Sequence, residues 1–194
     1  MESARRFLEQ QLGLKVHPEK TKIVDAREGF NFLGYHFRVV HFRGRRKEED
    51  KYTCYTKPSE KSLAKFKDKI REITKRNQTV NMGTLLKKLN PYMRGWGNYF
   101  GRGNVKTLFK ELDGWIRRRV RMVQMRSWKK PKRLWSILMR KGWKKEKLLS
   151  LSMQKWRNSN CQMVHAALDL KWFQTIGFVS LTDIRMKICA EVTV

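Results

Sequence analysis

Hydrophobic positions change their spacing near residue 57. Before that point apolar residues lie in short runs, and the longest is GFNFLGYHFRVVHF at 29–42. Runs rich in aromatic and β-branched residues predict strands. The charged stretch RGRRKEEDKY predicts a hairpin loop, and YTCYT at 52–56 predicts the strand that returns from it. Gly34 interrupts the longest run, which indicates a place where the backbone approaches another group closely.

Two weaker signals precede that run. Phe7, Leu8 and Leu12 fall near helical spacing, which predicts a short helix that ends at Gly13. The stretch LKVHPEKTKIV at 14–24 predicts two short strands with a turn at Pro18. The beginning of the chain is therefore expected to be small and partly β.

Beyond residue 57 the hydrophobic period becomes helical. Leu63, Phe66, Ile70 and Ile73 recur at steps of three and four, which is typical of an amphipathic helix. A second helix is expected from about Thr84. These periods place apolar side chains on one face and lysines on the other, so both helices are expected to pack on a common core.

Prolines and glycines divide the helical part further. Asn90-Pro91 predicts an N-cap followed by a first helical residue, so that a helix restarts there. GRGN at 101–104 predicts a turn, and a long helix is expected from about Val105 to Lys129. Pro131 is expected to end or kink that helix, and RLWSILMRKGW predicts a shorter basic helix after it.

The predicted fold class is mainly α with a small N-terminal β-hairpin portion, an α+β arrangement. We expect two domains, a small fragment with a helix and a β-hairpin at 1–56 and a helical domain at 57–194.

The charge of the chain predicts the kind of partner that it binds. The chain has 45 Lys and Arg against 17 Asp and Glu, a net charge of +28. Half of the excess lies in residues 102–147, which carry 17 basic and 3 acidic side chains. A localised basic surface predicts a polyanionic partner such as nucleic acid. No apolar run approaches the roughly 20 residues of a membrane span, and no segment resembles a signal peptide.

A basic run with few carboxylates nearby suits phosphate, because arginine forks bond two phosphate oxygens at once. We therefore predict RNA-binding residues in this run, and lysines of the first amphipathic helix extend the set. The candidates are Arg117, Arg118, Arg119, Arg121, Arg126, Lys129, Lys130, Lys132, Arg133, Lys61, Lys65 and Lys69.

The aromatic segment LNPYMRGWGNYFGRGN at 89–104 precedes the basic run. Trp96 and Phe100 share one helical face, so we interpret them, with Trp115 of the next helix, as a structural aromatic core. Gly95 and Gly97 are expected to allow close approach between helices. Tyr99 lies off that face, where a less favoured alternative is stacking on a base.

Several of these stretches together resemble group II intron-encoded reverse transcriptases, or maturases. LGLKVHPEKTKIV and GFNFLGYHF resemble the last motifs of the polymerase palm. PSEKSLAKFKDKIREITKRNQ, LNPYMRGWGNYF and ELDGWIRRRVRMVQMRSWKKP resemble the maturase-specific thumb, or X, domain. The resemblance covers nearly the whole chain, and it implies a C-terminal fragment of such a protein.

The resemblance implies which domain of such a protein each of the two parts of the chain would be. Residues 1–56 would be the remnant of the palm, and residues 57–194 the three-helix-type maturase thumb that binds RNA. Phe32, Leu33, Gly34 and Tyr35 would correspond to a primer-grip hairpin, the alternative being a plain β-hairpin whose aromatics pack under the helices. The family's catalytic palm aspartates are absent, since the chain has no Asp-Asp pair.

The predicted function is therefore to bind group II intron RNA and to assist its folding and splicing, without polymerase activity. No catalytic residue, cofactor, metal or membrane partner is expected, and the location is expected to be cytoplasmic, with an organelle as the alternative. Three other interpretations stay open. The chain is half of a split RNA-directed DNA polymerase whose fingers and palm are separately encoded, a non-functional remnant, or a generic basic binder.

Overall fold

The computed structural model describes residues 2–15, 17, 23–43, 50–75, 81–128, 130–149 and 160–192. The chain divides into two compact units, Met1–Ser59 and Glu60–Val194. The first contains a short helix and a three-stranded antiparallel sheet, and the second is helical. The predicted fold class, mainly α with a small N-terminal β portion, is confirmed.

In the first unit, helix α1 (Glu2–Arg6) continues as a π-helical turn, Phe7–Gln11. The sheet has the order β1-β2-β3. Its strands are β1 (Phe30–Phe32), β2 (Tyr35–Arg43) and β3 (Asp50–Pro58). The prediction of strands at 14–24 is wrong for Leu14, Ile23 and Val24, which lie in no strand. Val16, Pro18 and Thr21 lie outside the described residues.

The long aromatic run at 29–42 is two strands and not one. Phe32 pairs with Tyr35, so Leu33 and Gly34 form a two-residue turn between β1 and β2. Their φ angles are 47° and 80°, the positive values that a type I′ turn requires at both central positions. Gly34 is therefore needed because the turn requires a positive φ angle at this position. The sequence pattern had instead predicted a glycine within one strand, where the backbone approaches another group closely.

The helices of the second unit form two hydrophobic clusters. Their bounds are α2 (Glu60–Ile73), α3 (Met82–Phe100), α4 (Lys106–Ser127), α5 (Lys132–Arg140), α6 (Lys145–Leu149), α7 (Gln162–Ala167), α8 (Leu170–Thr175) and α9 (Leu181–Val192). In the first cluster α3 packs on α2 and α9, and α9 also packs on α4. Fully buried side chains such as Phe66, Leu89 and Phe109 fill it.

The second cluster surrounds the C-terminal end of α4. Met125 and Trp128 pack there with Leu134 and Leu138 of α5 and with Val164 of α7. Half-buried tryptophans, among them Trp135 and Trp172, cover its edge. Helix α4 thus contributes its first half to one cluster and its last turns to the other.

The predicted helix restart at Asn90-Pro91 is wrong, because α3 runs unbroken from Met82 to Phe100 with Pro91 inside it. Asn90 is not an N-cap. Its side-chain amide donates to the carbonyl of Gly177 at 2.8 Å, and its side-chain oxygen accepts from the N–H of Val179 at 3.2 Å. Pro91 is exposed, so water can bond the helical carbonyl that it leaves without a donor.

The long helix α4 ends at Ser127, close to its predicted end at Lys129, which lies outside the described residues. Pro131 stands directly before α5, and its carbonyl accepts the hydrogen bond from Trp135 N–H that opens this helix. Pro131 therefore fixes the start of α5.

Candidate nucleic-acid interface

The exposed cations of the basic run lie on two helices and the segment between them. On α4, Arg118 and Arg126 are exposed, and eight residues of helix separate them by about 12 Å. Lys130 follows α4, and Lys132 and Arg133 open α5, all three exposed. We call these five residues the α4–α5 cation set. Arg117 is half-buried beside it, and the predicted Lys129 lies outside the described residues.

None of the five side chains in the α4–α5 cation set pairs with a carboxylate within the described part of the chain. The cations therefore attract counterions from solution. A bound polyanion would displace these counterions, which is the principal source of protein affinity for nucleic acid.

Arg121 lies inside the molecule, although it belongs to the same run. Only 7% of it is exposed. Its Nε donates to the carbonyl of Leu168 at 2.9 Å, and its guanidinium lies 5.1 Å from the ring centre of Phe173. Burial lowers the pKa of Arg121, and repulsion from Arg117 adds to that effect. The structure therefore places Arg121 between α4 and α8 and not on the surface.

Arg119 closes the C-terminal end of α2. Its Nε donates to Thr74 Oγ1 at 2.6 Å, and its Nη2 lies 3.4 Å from the carbonyl oxygens of Arg71 and Thr74. Arg71 is in the last turn of α2 and Thr74 directly follows it, where helical carbonyls have no partner within their own helix. Arg119 therefore joins α4 to α2.

Trp115 is half-buried and flanked by guanidinium groups. Arg119 lies 5.5 Å and Arg71 5.8 Å from its ring centre. That Trp115 belongs to the aromatic core stays a prediction, and the structure adds that two cations lie against its ring. Cation–π contacts of this kind stabilise helix packing and occupy the ring.

The predicted lysines of α2, Lys61, Lys65 and Lys69, are all exposed. Lys69 forms an ion pair with Glu72 at 2.9 Å, and this hydrogen bond lowers the pKa of the Glu72 carboxyl. Lys61 and Lys65 have no such pair among the described residues. The α2 surface thus carries less unneutralised charge than the α4–α5 cation set.

Trp96 and Phe100 lie in one aromatic stack of the first cluster. The Trp96 ring centre is 4.1 Å from Phe66, 4.8 Å from Phe100 and 5.6 Å from Phe109. These contacts support the structural interpretation of both residues. Tyr99 is 51% exposed and touches the edge of the Phe100 ring.

The close approach of α3 to α9 uses Gly97 and Gly101. A Cβ at Gly97 would lie 2.8 Å from Ile184 Cδ1, and one at Gly101 would lie 2.6 Å from Ile188 Cδ1. Gly95, the other predicted residue, has nothing within 4 Å of the Cβ position. The expected close approach therefore applies to Gly97 but not to Gly95.

The predicted primer-grip residues, Phe32, Leu33, Gly34 and Tyr35, form the tip of the β1–β2 hairpin. Phe32 is 59% and Leu33 70% exposed. Tyr35, at the other side of the turn, is half-buried. Whether the tip contacts a nucleic-acid strand stays a prediction.

Asp113 is the principal polar residue that the sequence did not indicate. It is fully buried. One carboxylate oxygen accepts from Leu181 N–H at 2.9 Å. The other accepts from Thr182 N–H at 3.0 Å and from the Ser180 and Thr182 hydroxyls, both at 2.7 Å. Asp113 of α4 thus caps the N-terminus of α9 across the fold.

Lys141 is another basic residue with a structural contact. Its Nζ donates to the carbonyl of Ala166 at 2.7 Å and to the Asp169 carboxylate at 2.7 Å. The first contact satisfies a carbonyl at the end of α7, and the second lowers the pKa of the Asp169 carboxyl. Asp169 in turn accepts from Trp172 N–H at the start of α8, so one lysine connects two helix ends.

The described residues contain neither a metal-binding cluster nor a membrane-spanning helix. No group of three or more His, Cys, Asp or Glu side chains there could hold a metal ion. No helix there is long and apolar enough to cross a membrane. Of the acidic stretch at 48–50, Glu48 and Glu49 lie outside the described residues.

Comparison with protein families assigns part of the helical unit. Residues 63–143 match the family described as the group II intron, maturase-specific domain. The match runs from the first turns of α2 to just beyond α5 and includes the whole α4–α5 cation set. No curated protein matches the chain. The predicted resemblance to group II intron maturases is therefore confirmed, and the matched domain is a non-catalytic one that implies a role in group II intron splicing.

Proposed function

We propose that the protein binds group II intron RNA directly and assists its folding for splicing, because residues 63–143 match the group II intron, maturase-specific domain. The observation that carries this proposal is the α4–α5 cation set within the matched segment, five exposed cations that pair with no carboxylate among the described residues. We place the centre of the RNA interface there, with Lys61 and Lys65 of α2 as a secondary contact.

Neutralisation of phosphates is the proposed mechanism. RNA helices that pack together bring their phosphates close, and this repulsion opposes the active fold. The cations of α4 and α5 would lower the repulsion between those phosphates at particular points of the RNA, because the helices hold their side chains at fixed spacing. The RNA would perform the splicing chemistry, and the chain alone would not polymerise DNA.

A binding experiment tests this function. The affinity of the purified chain for a group II intron RNA is compared with its affinity for an unrelated structured RNA of equal length, across a salt series. We expect tens-fold tighter binding to the intron RNA at every salt concentration. Equal affinities that fall along one steep salt line would mean counterion release without recognition, which would contradict the splicing role.

The interface is tested by charge removal. Replacing all five residues of the α4–α5 cation set with Gln should weaken intron RNA binding about 30-fold and lower the salt slope by about 4. The control replaces Lys57, Lys75, Lys87, Lys88 and Lys171 with Gln, an equal loss of charge elsewhere on the exposed surface. Equal losses in both variants would show that only net charge matters and would contradict the proposed interface.

Two residues of α4 that lie three positions apart, Arg118 and Arg121, separate RNA contact from structural support. Arg118→Met should weaken RNA binding several-fold and leave the free energy of unfolding within about 0.5 kcal/mol. Arg121→Met should lower the free energy of unfolding by about 2 kcal/mol, because the Leu168 carbonyl loses its donor. Urea denaturation followed by circular dichroism, with RNA binding on the same samples, measures both quantities. The reverse assignment of effects would contradict this division.

A second candidate is polymerase activity by assembly with a separately encoded fingers and palm chain. It is favoured by one observation, the apolar side chains that the first unit exposes: Phe7, Ile23, Phe32 and Leu33 are each more than half exposed. Burial of such residues against a partner is favourable. Primer extension with magnesium, measured with and without a candidate partner chain, discriminates between the two functions. Extension by the chain alone would contradict the non-enzymatic proposal.

A further inference from the structure

A groove of about 530 Å³ lies between α3 and α9, apart from the α4–α5 cation set. Arg94 and Asn98 line it from α3, and Arg102 lines it from the turn that follows α3, at steps of four residues. Asp183, Lys187 and Glu191 line it from α9 at the same step. Its volume falls within the range of about 300–1,000 Å³ that is usual for small-ligand sites.

The two ends of the groove differ in chemistry. Gly97 lies against Leu181 and Ile184, and Gly101 lies against Ile188, so α3 and α9 run in the same direction. Arg102 is therefore level with the later part of α9, whose lining residues are Lys187 and Glu191. Phe178 and Asp183 belong to the opposite end, where α9 begins. The later end thus offers two cations, Arg102 and Lys187, beside Glu191. The other end offers the Phe178 ring and the Asp183 carboxylate beside Arg94.

The charged side chains of this groove have no partners within the described part of the chain. Arg94, Arg102, Asp183, Lys187 and Glu191 make no hydrogen bond or ion pair with their side chains there. A plain polyanion would be repelled by the two carboxylates. A ligand with both an anionic group and N–H donors would satisfy both kinds of side chain.

The aromatic end is fixed in place by side chains from other helices. Asn90 of α3 bonds the carbonyl of Gly177 and the N–H of Val179, on either side of Phe178. Asp113 of α4 holds Ser180 and Leu181. A site held in this way loses little freedom when it binds, which favours affinity.

A phosphate is expected at the cationic end. At the other end, the first N–H groups of α9 already donate to Asp113, so that helix terminus is not available to a second anion. Arg102 and Lys187 are free to receive the phosphate. Phe178 and the apolar side chains of Val179 and Ile184 remain for a flat ring.

We propose that the α3–α9 groove binds one unstacked guanosine nucleotide of single-stranded RNA. Arg102 and Lys187 bind its phosphate, Phe178 packs against the base, and Asp183 accepts hydrogen bonds from guanine N1–H and N2–H. The inference rests on RNA being the partner of the protein, but it concerns a surface separate from the α4–α5 cation set.

Guanine is the base that fits a carboxylate best. Its Watson–Crick edge offers two adjacent N–H donors, which match the two oxygens of Asp183. Uracil offers one N–H between two carbonyl oxygens, which a carboxylate would repel. Bases in single-stranded RNA are exposed for this kind of contact, and a bidentate pair discriminates between bases by roughly tenfold or more.

The probes are two labelled ten-nucleotide RNAs, oligouridylate and the same oligomer with two central guanosines. Fluorescence anisotropy with the full chain should give about tenfold tighter binding of the guanosine oligomer. Asp183→Asn should reduce this ratio to about one. Glu111→Gln removes the same charge from an exposed residue of α4 outside the groove and should leave the ratio unchanged.

Each result decides the inference. A ratio near one for the unchanged protein, a ratio that Asp183→Asn preserves, or no binding of either oligomer would overturn it. Tight binding of both oligomers with no guanosine preference would overturn the groove assignment alone and leave the proposed RNA-binding function standing. Ultraviolet cross-linking of the guanosine oligomer should label the peptide that contains Phe178, and labelling confined to α4 and α5 would also overturn it.

Discussion

Asp113→Ala is expected to lower the free energy of unfolding by about 4 kcal/mol. The substitution removes an acceptor that four donors share, two backbone N–H groups and two hydroxyls. Asp113 is fully buried, so water cannot easily replace it. A single unsatisfied buried donor costs about 1–3 kcal/mol, and the N-terminus of α9 also loses its negative charge.

Urea denaturation followed by circular dichroism measures this loss. Glu111→Ala is the matched control, because Glu111 lies two residues earlier on α4 and is exposed; it should change stability by less than about 0.5 kcal/mol. Asp113→Asn keeps one acceptor oxygen but turns an NH₂ group towards donors. Its loss of stability should therefore fall between those of Asp113→Ala and Glu111→Ala. A loss below about 1 kcal/mol for Asp113→Ala would show that the cap is not important for stability.

Gly101→Ala is expected to destabilise the protein by about 3 kcal/mol, whereas Gly95→Ala should stabilise it by about 1 kcal/mol. The added methyl at Gly101 would lie 2.6 Å from the carbonyl oxygen of Gly97 and from Ile188 Cδ1. The backbone oxygen cannot move without distorting α3. At Gly95 the methyl meets nothing within 4 Å, so only the gain in helix propensity remains.

The same methyl group, added at Gly95 or at Gly101 near the C-terminal end of α3, is thus expected to change stability in opposite directions. Thermal and urea unfolding of both variants measure the difference. Gly97→Ala should fall between them, because the atom that it meets first, Ile184 Cδ1 at 2.8 Å, is the end of a side chain and can shift. Equal stability of the Gly95 and Gly101 variants would mean that α3 and α9 are not held in close contact.

Local periodicity predicted helices α1 to α5, because each amphipathic face depends on only a few turns of sequence. The four described helices after α5 were not predicted. The error at Asn90-Pro91 has a definite cause. The pair has the local signature of a helix start, but Asn90 bonds Gly177 and Val179, which are far away in sequence. Once that side chain is used elsewhere, the remaining residues favour one continuous helix.

The candidate interface was predicted in part for a similar reason. The sequence shows that residues 117–121 are rich in arginine, but it does not show which arginine is buried. Arg121 and Arg119 bond backbone carbonyls of α7–α8 and α2, and only the packing of those helices reveals this. No local sequence pattern indicated the capping role of Asp113, because the groups that donate to it lie 67 to 69 residues away in the sequence.

The sharing of α4 between two hydrophobic clusters has a consequence for unfolding. The helix has 22 residues, about 33 Å, and neither cluster can come apart without exposing one end of it. Unfolding of the second cluster would expose Met125 to solvent, and unfolding of the first cluster would expose Phe109 and Ile116. The middle turns of α4 therefore open only when both ends are released, which makes the helical unit a single cooperative element.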